Sequence, residues 1–294
     1  MSIANEQGNN VSIYDIGLAV GTGIRNRYTI KNHISFGNTT ILYIAEDNEL
    51  KKTVLLKELC PYRLVNRDMD GKTLVLKGNR DKKTYKMIEA SFINEIKILK
   101  KLGNHKELSG KVPGYVADFN ENNTLYLVIE YLEGCDLKQK IQSGETLSFR
   151  KTAYELVSIV HKIHKFGVLH RDIKLSNMFI KKDGTLALLD FGSACLTEEE
   201  SETMKYASNG YSAPEMYEKG SSTLYADIYS IGAVMYQMLT GILPNRADLR
   251  TEGDLADITE YINIPWPLAN CIMKSLEFNP EKRLKHLSLF KLLL

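Results

Sequence analysis

Apolar and polar residues keep two different rhythms along this chain. From Tyr28 to Lys57 they alternate in short runs, with Tyr28, Ile30, Ile41, Tyr43, Val54 and Leu56 marking strands and turn residues between them. Asp70-Gly71, followed by TLVLKG, predicts a hairpin. The period then lengthens. Tyr85, Ile88, Phe92, Ile96, Leu99 and Leu102 recur at steps of three and four, which predicts a helix over 84–102 stopped by Gly103-Asn104. TLYLVIEYL (124–132) reads as a buried strand and EGCD after it as a turn. Residues 1 to about 12, rich in Asn, Gln and Gly, read as a disordered tail.

Beyond residue 133 the helical period dominates. SFRKTAYELVSIVHKIHKFG puts Ala153, Leu156, Val160 and Ile163 on one face, with Ser148 as N-cap and Gly167 as C-cap. Further helices are expected near 227–240, 265–277 and 284–293. A strand-rich front and a helix-rich back predict an α+β chain of two lobes with a cleft between them. The divisions fall at 1–27 (tail and lead-in), 28–132 and 133–294.

Composition narrows the classes. Hydrophobic residues are 44% and charged residues 25% of the 294, which excludes a disordered chain, a collagen or a coiled-coil rod. The net charge of +2 is too small to make nucleic acid or an anionic membrane the main partner. Four scattered cysteines with no CxxC argue against a disulfide framework or a structural metal and for reduced thiols in a cytoplasmic protein. No apolar run approaches the roughly 20 residues of a membrane helix, and the polar N-terminus lacks a signal core.

The chemistry is concentrated in HRDIKLSN (170–177) and LLDFG (188–192). Asp172, Asn177 and Asp190 offer the oxygen ligands a hard divalent cation takes, and Lys174 adds positive charge beside Asp172. Such a set suits a reaction in which negative charge spreads over phosphoryl oxygens. With SAPE (212–215) after them, these motifs resemble those of eukaryotic-type protein kinases, in the serine/threonine subgroup found in bacteria.

The resemblance implies a two-lobe kinase fold: an N-lobe of antiparallel sheet plus one helix and a mainly helical C-lobe. It implies transfer of the ATP γ-phosphate to protein Ser or Thr hydroxyls. Asp172 would be the catalytic base, Lys174 would stabilise the moving phosphoryl group, and Asn177 and Asp190 would hold Mg²⁺, or Mn²⁺ in its place. Lys57, in LLKELCPYRLVNRD, would grip the α- and β-phosphates and pair with Glu95. Glu58, Glu89 and Lys97 lie near enough to leave ordinary surface charge as the competing reading of that pair. The nucleotide pocket would take Ile34, Gly37, Leu42, Leu55, Ile129, Glu130, Leu132, Asp136, Phe179 and Leu189. Arg283 would meet Glu215, Asp227 would anchor the catalytic loop, and Ser208 would contact Asp172 and Lys174. Thr197, Ser201 and Thr203 are the phosphosite candidates, and Glu198, Glu199, Glu200 and Glu202 could mimic a phosphate toward Arg171. With no sensor or anchor domain in view, control is expected from the activation segment, an oligomer or a regulatory protein. His161 and His164 read as surface or core residues.

The chain departs from the family at the front. Aligned on Tyr28 and Tyr43, Ser35, Gly37 and Thr40 occupy the three glycine positions of the phosphate loop, and Leu55 stands where the family has alanine. The long span from Lys57 to Glu95 holds the Asp70-Gly71 hairpin, expected to shield the edge of the upper sheet. A pseudokinase scaffold and a small-molecule kinase are the competing functions.

Overall fold

The computed structural model describes residues 2–4, 10–12, 16–145, 147–198, 207–217, 223–249, 251 and 254–294. The chain divides into two compact units, Met1–Lys97 with Gly114–Leu132 and Ile98–Pro113 with Glu133–Leu294.

In the first unit, Ser2–Ala4 (β1) pairs antiparallel with Asn10–Ser12 (β2), where the composition predicts a disordered tail. Each run has three residues, too few for alternation to register. The following strands are Gly23–Ile24 (β3), Tyr28–Phe36 (β4), Thr40–Asp47 (β5), Lys52–Leu59 (β6), Val65–Arg67 (β7), Leu74–Leu76 (β8), Tyr115–Glu121 (β9) and Thr124–Glu130 (β10). Six of them form an antiparallel sheet in the order β3-β4-β5-β6-β10-β9, and β7 and β8 form a separate hairpin.

Alternation decides what each face carries. Ile41, Tyr43 and Ala45 of β5 lie opposite Glu58, Leu56 and Val54 of β6 on one face. That face is buried in a core shared with Ile16, Leu18, Val65 and Leu74. The hairpin thus covers a face of the sheet, a correction to the edge-shielding role expected of it. The reason is that its strands each contribute an apolar residue that points into this core. Leu55 and Lys57 alternate to the other face, on the side of helix Lys82–Gly103 (α1). Along that helix Ile88, Phe92, Ile96, Leu99 and Leu102 are buried as their period predicts.

In the second unit Gly134–Asp136 (β11), Met178–Lys181 (β13) and Leu186–Leu188 (β14) form a sheet in the order β11-β13-β14, while Val168–Leu169 (β12) pairs with Cys195–Leu196 (β15). The EGCD segment therefore continues as a strand rather than a turn. A Cβ at Gly134 would lie 2.1 Å from the Ile180 carbonyl oxygen, so only glycine, here at φ 154°, lets the two backbones meet. The α-helices of this unit among the described residues are Leu137–Gln142 (α2), Phe149–Lys165 (α3), Leu224–Thr240 (α4), Trp266–Ser275 (α5) and Ser288–Leu293 (α6), besides the end of α1. Ser148 caps α3, its Oγ accepting from the Lys151 N–H at 3.3 Å, and Gly167 at φ 71° turns the chain out of it. Helix α4 is buried without a break from Ala226 to Tyr236, as befits a central element. No helix among the described residues is long and apolar enough to cross a membrane.

Candidate active site

The first unit brings together a lysine and a glutamate that are 38 residues apart. Lys57 Nζ lies 2.7 Å from Glu95 Oε1 and 2.9 Å from Oε2. Both side chains are largely buried, at 15% and 5% exposure, so the charges are desolvated together and each fixes the other. Leu42 and Leu127 flank Lys57 in register, and Leu55 lies between Ile44 and Ile129. Leu42, Leu55 and Ile129 are half-buried, and Ile34 is 39% exposed.

Glycine is not needed at two of the three expected loop positions. Ser35 sits inside β4 opposite Leu42, next to a bulge, and Thr40 opens β5. The turn is Gly37-Asn38-Thr39, closed by the Gly37 N–H donating to the Thr40 carbonyl at 2.9 Å. At the end of β10 the Glu130 N–H donates to the Gly114 carbonyl at 2.8 Å. Leu132 is half-buried.

The opposite face of β6 holds a cluster the sequence reading missed. Glu58 is wholly buried. Its Oε2 accepts from the Tyr43 hydroxyl at 2.6 Å and its Oε1 from the Tyr126 hydroxyl at 2.8 Å. Arg67 adds a two-pronged bond, NH1 to Oε1 at 2.8 Å and NH2 to Oε2 at 2.9 Å. Burial and the Glu58 charge push both tyrosines well above the usual phenol range. Burial alone would lower the Arg67 guanidinium, but the bond to Glu58 keeps it above its ordinary value. One signal was available: Glu58 continues the inward series Val54, Leu56.

In the second unit the site is short-range. Lys174 Nζ lies 2.7 Å from Asp172 Oδ2, and Asn177 Nδ2 donates to the Asp172 carbonyl at 2.9 Å and to Oδ2 at 3.0 Å. The Asn177 amide oxygen is thereby turned away from Asp172. Ser208 Oγ donates to Asp172 Oδ1 at 2.6 Å and accepts from Lys174 Nζ at 3.2 Å. The Asp172 carboxylate thus has one oxygen on an amide and a lysine and the other on a hydroxyl.

Asp227, wholly buried on α4, holds the loop in place. It accepts from the His170 N–H at 2.9 Å and the Arg171 N–H at 2.7 Å, and His164 Nε2 lies 2.7 Å away. Burial pushes the Asp227 carboxyl up, but the His164 bond and charge more than offset it, so it titrates below its ordinary value. These bonds hold Arg171 at φ 67°, a left-handed conformation costly for a side chain of its size. The His164 contact also went unread, because nothing in a six-residue spacing to His170 announces a partner on another helix. His170 Nε2 donates to the Leu189 carbonyl at 3.1 Å, and its Nδ1 accepts from the Asp172 N–H at 3.3 Å. That pattern requires a neutral ring, and burial holds the imidazole below its usual range.

Asp190 is exposed at φ 59°, with Oδ1 accepting from the Gly192 N–H at 3.3 Å. Leu189 and Phe179 are half-buried. Asp136 is the N-cap of α2, its Oδ1 accepting from the Gln139 N–H at 2.8 Å. Arg283 forks onto Glu215 at 2.7 and 2.8 Å. Thr197 lies in the β15 turn, its N–H donating to the Gly167 carbonyl at 2.9 Å. Ser201, Thr203, Glu199, Glu200 and Glu202 lie outside the described residues.

A protein kinase domain model matches residues 61–291. A probable serine/threonine-protein kinase of Clostridium acetobutylicum is 29% identical over 90% of this chain and 39% of its own length. The serine/threonine-protein kinase PknA of a Nostoc species is 26% identical over 88% of this chain and 45% of its own. The chain thus spans less than half the length of either relative. A solved structure of PpkA-294 in its apo form superposes with a TM-score of 0.80 at 26% identity, covering 95% of this chain and 99% of that one. The chain therefore belongs to the protein kinase family and has that family's fold, and these two relatives are serine/threonine-protein kinases of bacteria.

Proposed function

We propose that this chain transfers the γ-phosphoryl group of ATP to a serine or threonine hydroxyl of a protein, with Asp172 as the residue that orients the hydroxyl and takes its proton. The observation that carries this reading is the hydroxyl already donating to Asp172: Ser208 Oγ at 2.6 Å, with Lys174 Nζ 3.2 Å from the same oxygen. A substrate hydroxyl brought to the same carboxylate, beside Ser208, would have a base on its proton and a cation beside the phosphoryl oxygens it approaches. Lys57, steadied by Glu95, is the proposed ligand of the α- and β-phosphates. Ile34, Gly37, Leu42, Leu55, Ile129, Glu130, Leu132, Phe179 and Leu189 are the proposed nucleotide contacts. Asp136 keeps one carboxylate oxygen beyond its capping bond for a ribose hydroxyl.

ATP and a divalent metal go with the family. Mg²⁺ is the proposed ion, held by Asn177 and Asp190, with Mn²⁺ as its substitute. Their oxygens suit it: Asn177 turns its amide oxygen away from Asp172 while its nitrogen bonds that residue, and Asp190 presents an exposed carboxylate. No three His, Cys, Asp or Glu side chains gather into a metal cage among the described residues, and Mg²⁺ needs none when phosphates and water complete its shell. Bound there, the ion would neutralise phosphate charge. Four free cysteines support a reducing compartment, and the cytoplasm is the proposed one.

The test is intact mass after incubation of phosphatase-treated protein, alone and with a panel of proteins, in MgATP. Phosphate-sized steps on Ser or Thr, lost in Asp172→Ala, are expected. Binding of MgATP without any transfer would instead favour the pseudokinase reading. Transfer confined to small molecules would favour the other competitor.

A further inference from the structure

Glu58 is next to Lys57 on β6 and takes no part in the chemistry, yet it gathers four segments of the first unit. Tyr43 comes from β5, Tyr126 from β10 and Arg67 from the hairpin. Arg67 then extends the cluster to the lead-in, with Nε at 2.9 Å and NH2 at 2.6 Å from the Ile16 carbonyl, and NH1 donates to the Lys72 carbonyl at 2.6 Å. The lead-in is tied twice more: the Leu18 N–H donates to the Tyr43 hydroxyl at 3.0 Å, and His33 Nε2 bonds the Leu18 carbonyl at 2.9 Å.

We infer that Glu58 and Arg67 are a positioning pair for Lys57, setting the roll of β6 so that Nζ meets Glu95 and the nucleotide phosphates. This rests on the proposed role of Lys57 as a phosphate ligand. A buried ion pair is a poor device for stability, since apolar residues of similar size usually serve as well. What it adds is direction. Apolar packing tolerates a small roll of the strand, whereas a planar guanidinium bonded at both Glu58 oxygens and two backbone carbonyls does not. Alternation puts Lys57 on the far side of the same backbone, so a roll that frees Glu58 also swings Nζ. A roll of roughly ten degrees carries the end of that four-carbon stem about 1 Å, and a 1 Å misplacement can cost about 100-fold in rate.

Stability and position can be separated by two variants. Arg67→Met leaves Glu58 buried without its cation, and the melting temperature should fall about 10 °C while the ATP dissociation constant, measured by calorimetric titration, rises about tenfold. The double variant Glu58→Met with Arg67→Met replaces the pair by apolar stems, so the melting temperature should return to within about 3 °C of the parent. If the pair positions Lys57, ATP binding in the double variant stays at least about fivefold weaker, and amide exchange over Lys52–Leu59 stays faster than in the parent. Parental ATP binding and parental exchange in the double variant would overturn the inference and leave the pair a core filler. Should the double variant not fold, Arg67→Lys keeps the charge but loses the fork; ATP binding about threefold weaker supports the pair, and unchanged binding overturns it. A parent that binds no ATP would sink the reading of Lys57 as a phosphate ligand, while the exchange measurement, made without nucleotide, still decides this one.

Discussion

Two wholly buried carboxylates, Glu58 in the first unit and Asp227 in the second, each sit behind a residue with a proposed role in the reaction, and they do it differently. Asp227 accepts from two backbone N–H groups, those of His170 and Arg171. It dictates the path of the chain itself and holds Arg171 in a conformation it would not choose alone. Glu58 accepts from side chains on three separate strands, those of Tyr43, Arg67 and Tyr126. It dictates how those strands sit relative to one another. The lesson is about tolerance. A loop shaped by backbone bonds to one acid should change its path when the acid is removed, although its members stay close in sequence, whereas a strand braced by side chains should accept repacking and keep its fold.

The hardest blow to that comparison is struck at Asp227. Asp227→Ala should cost about 3–5 kcal/mol of stability by leaving buried donors unmet. It should also lower turnover by at least about 100-fold through misplacement of Asp172. Melting curves beside phosphate-transfer rates check this, and a variant that keeps its rate would dissolve the contrast with Glu58. Ser208→Ala removes the hydroxyl shared by Asp172 and Lys174. A roughly tenfold fall in kcat with little change in melting temperature is expected, and a fall in stability instead would make Ser208 structural.

Acidity probes the same loop. His170 must be neutral in the folded chain, so its folded pKa lies below its unfolded value near 6.5. The unfolded chain then takes the proton first. Stability from this group is full above about pH 6.5 and is lost as pH falls below it. His161, also lowered by burial, adds to the same slope. His170→Gln should show a shallower loss of melting temperature between pH 7 and pH 5 than the parent, and equal slopes would contradict the neutral ring. Asp227, held low, contributes stability that is present above about pH 4 and is lost only as pH falls further. The smallest effect is expected at Leu55, on the same side of β6 as Lys57 and a proposed nucleotide contact. Leu55→Ala should strengthen ATP binding about threefold by widening the pocket. Weaker or unchanged binding would show that its bulk does not restrict the nucleotide.

What the sequence determined by itself was local. Alternation and the lengthened period are set by backbone geometry, so β4, β5, β6, β10, the Asp70-Gly71 hairpin, helix α1 and helix α3 could be placed from residue order, whereas β1, β2 and β9 could not. Asp172, Lys174 and Asn177 lie within six residues, and a loop that short keeps its members together whatever surrounds it. Only the tertiary structure decided the rest. Lys57 and Glu95 meet across 38 residues of sequence, and Glu89 or Glu58 would have served as well on spacing alone. Glu58 turns out to face away because β6 alternates, and its partners come from strands whose order no local pattern specifies. His164 finds Asp227 across 63 positions for the same reason. Gly134 reads as a turn until the Ile180 carbonyl is seen to need the space a side chain would fill. Residue type sets what each group can do, and long-range packing sets which other group it does it with.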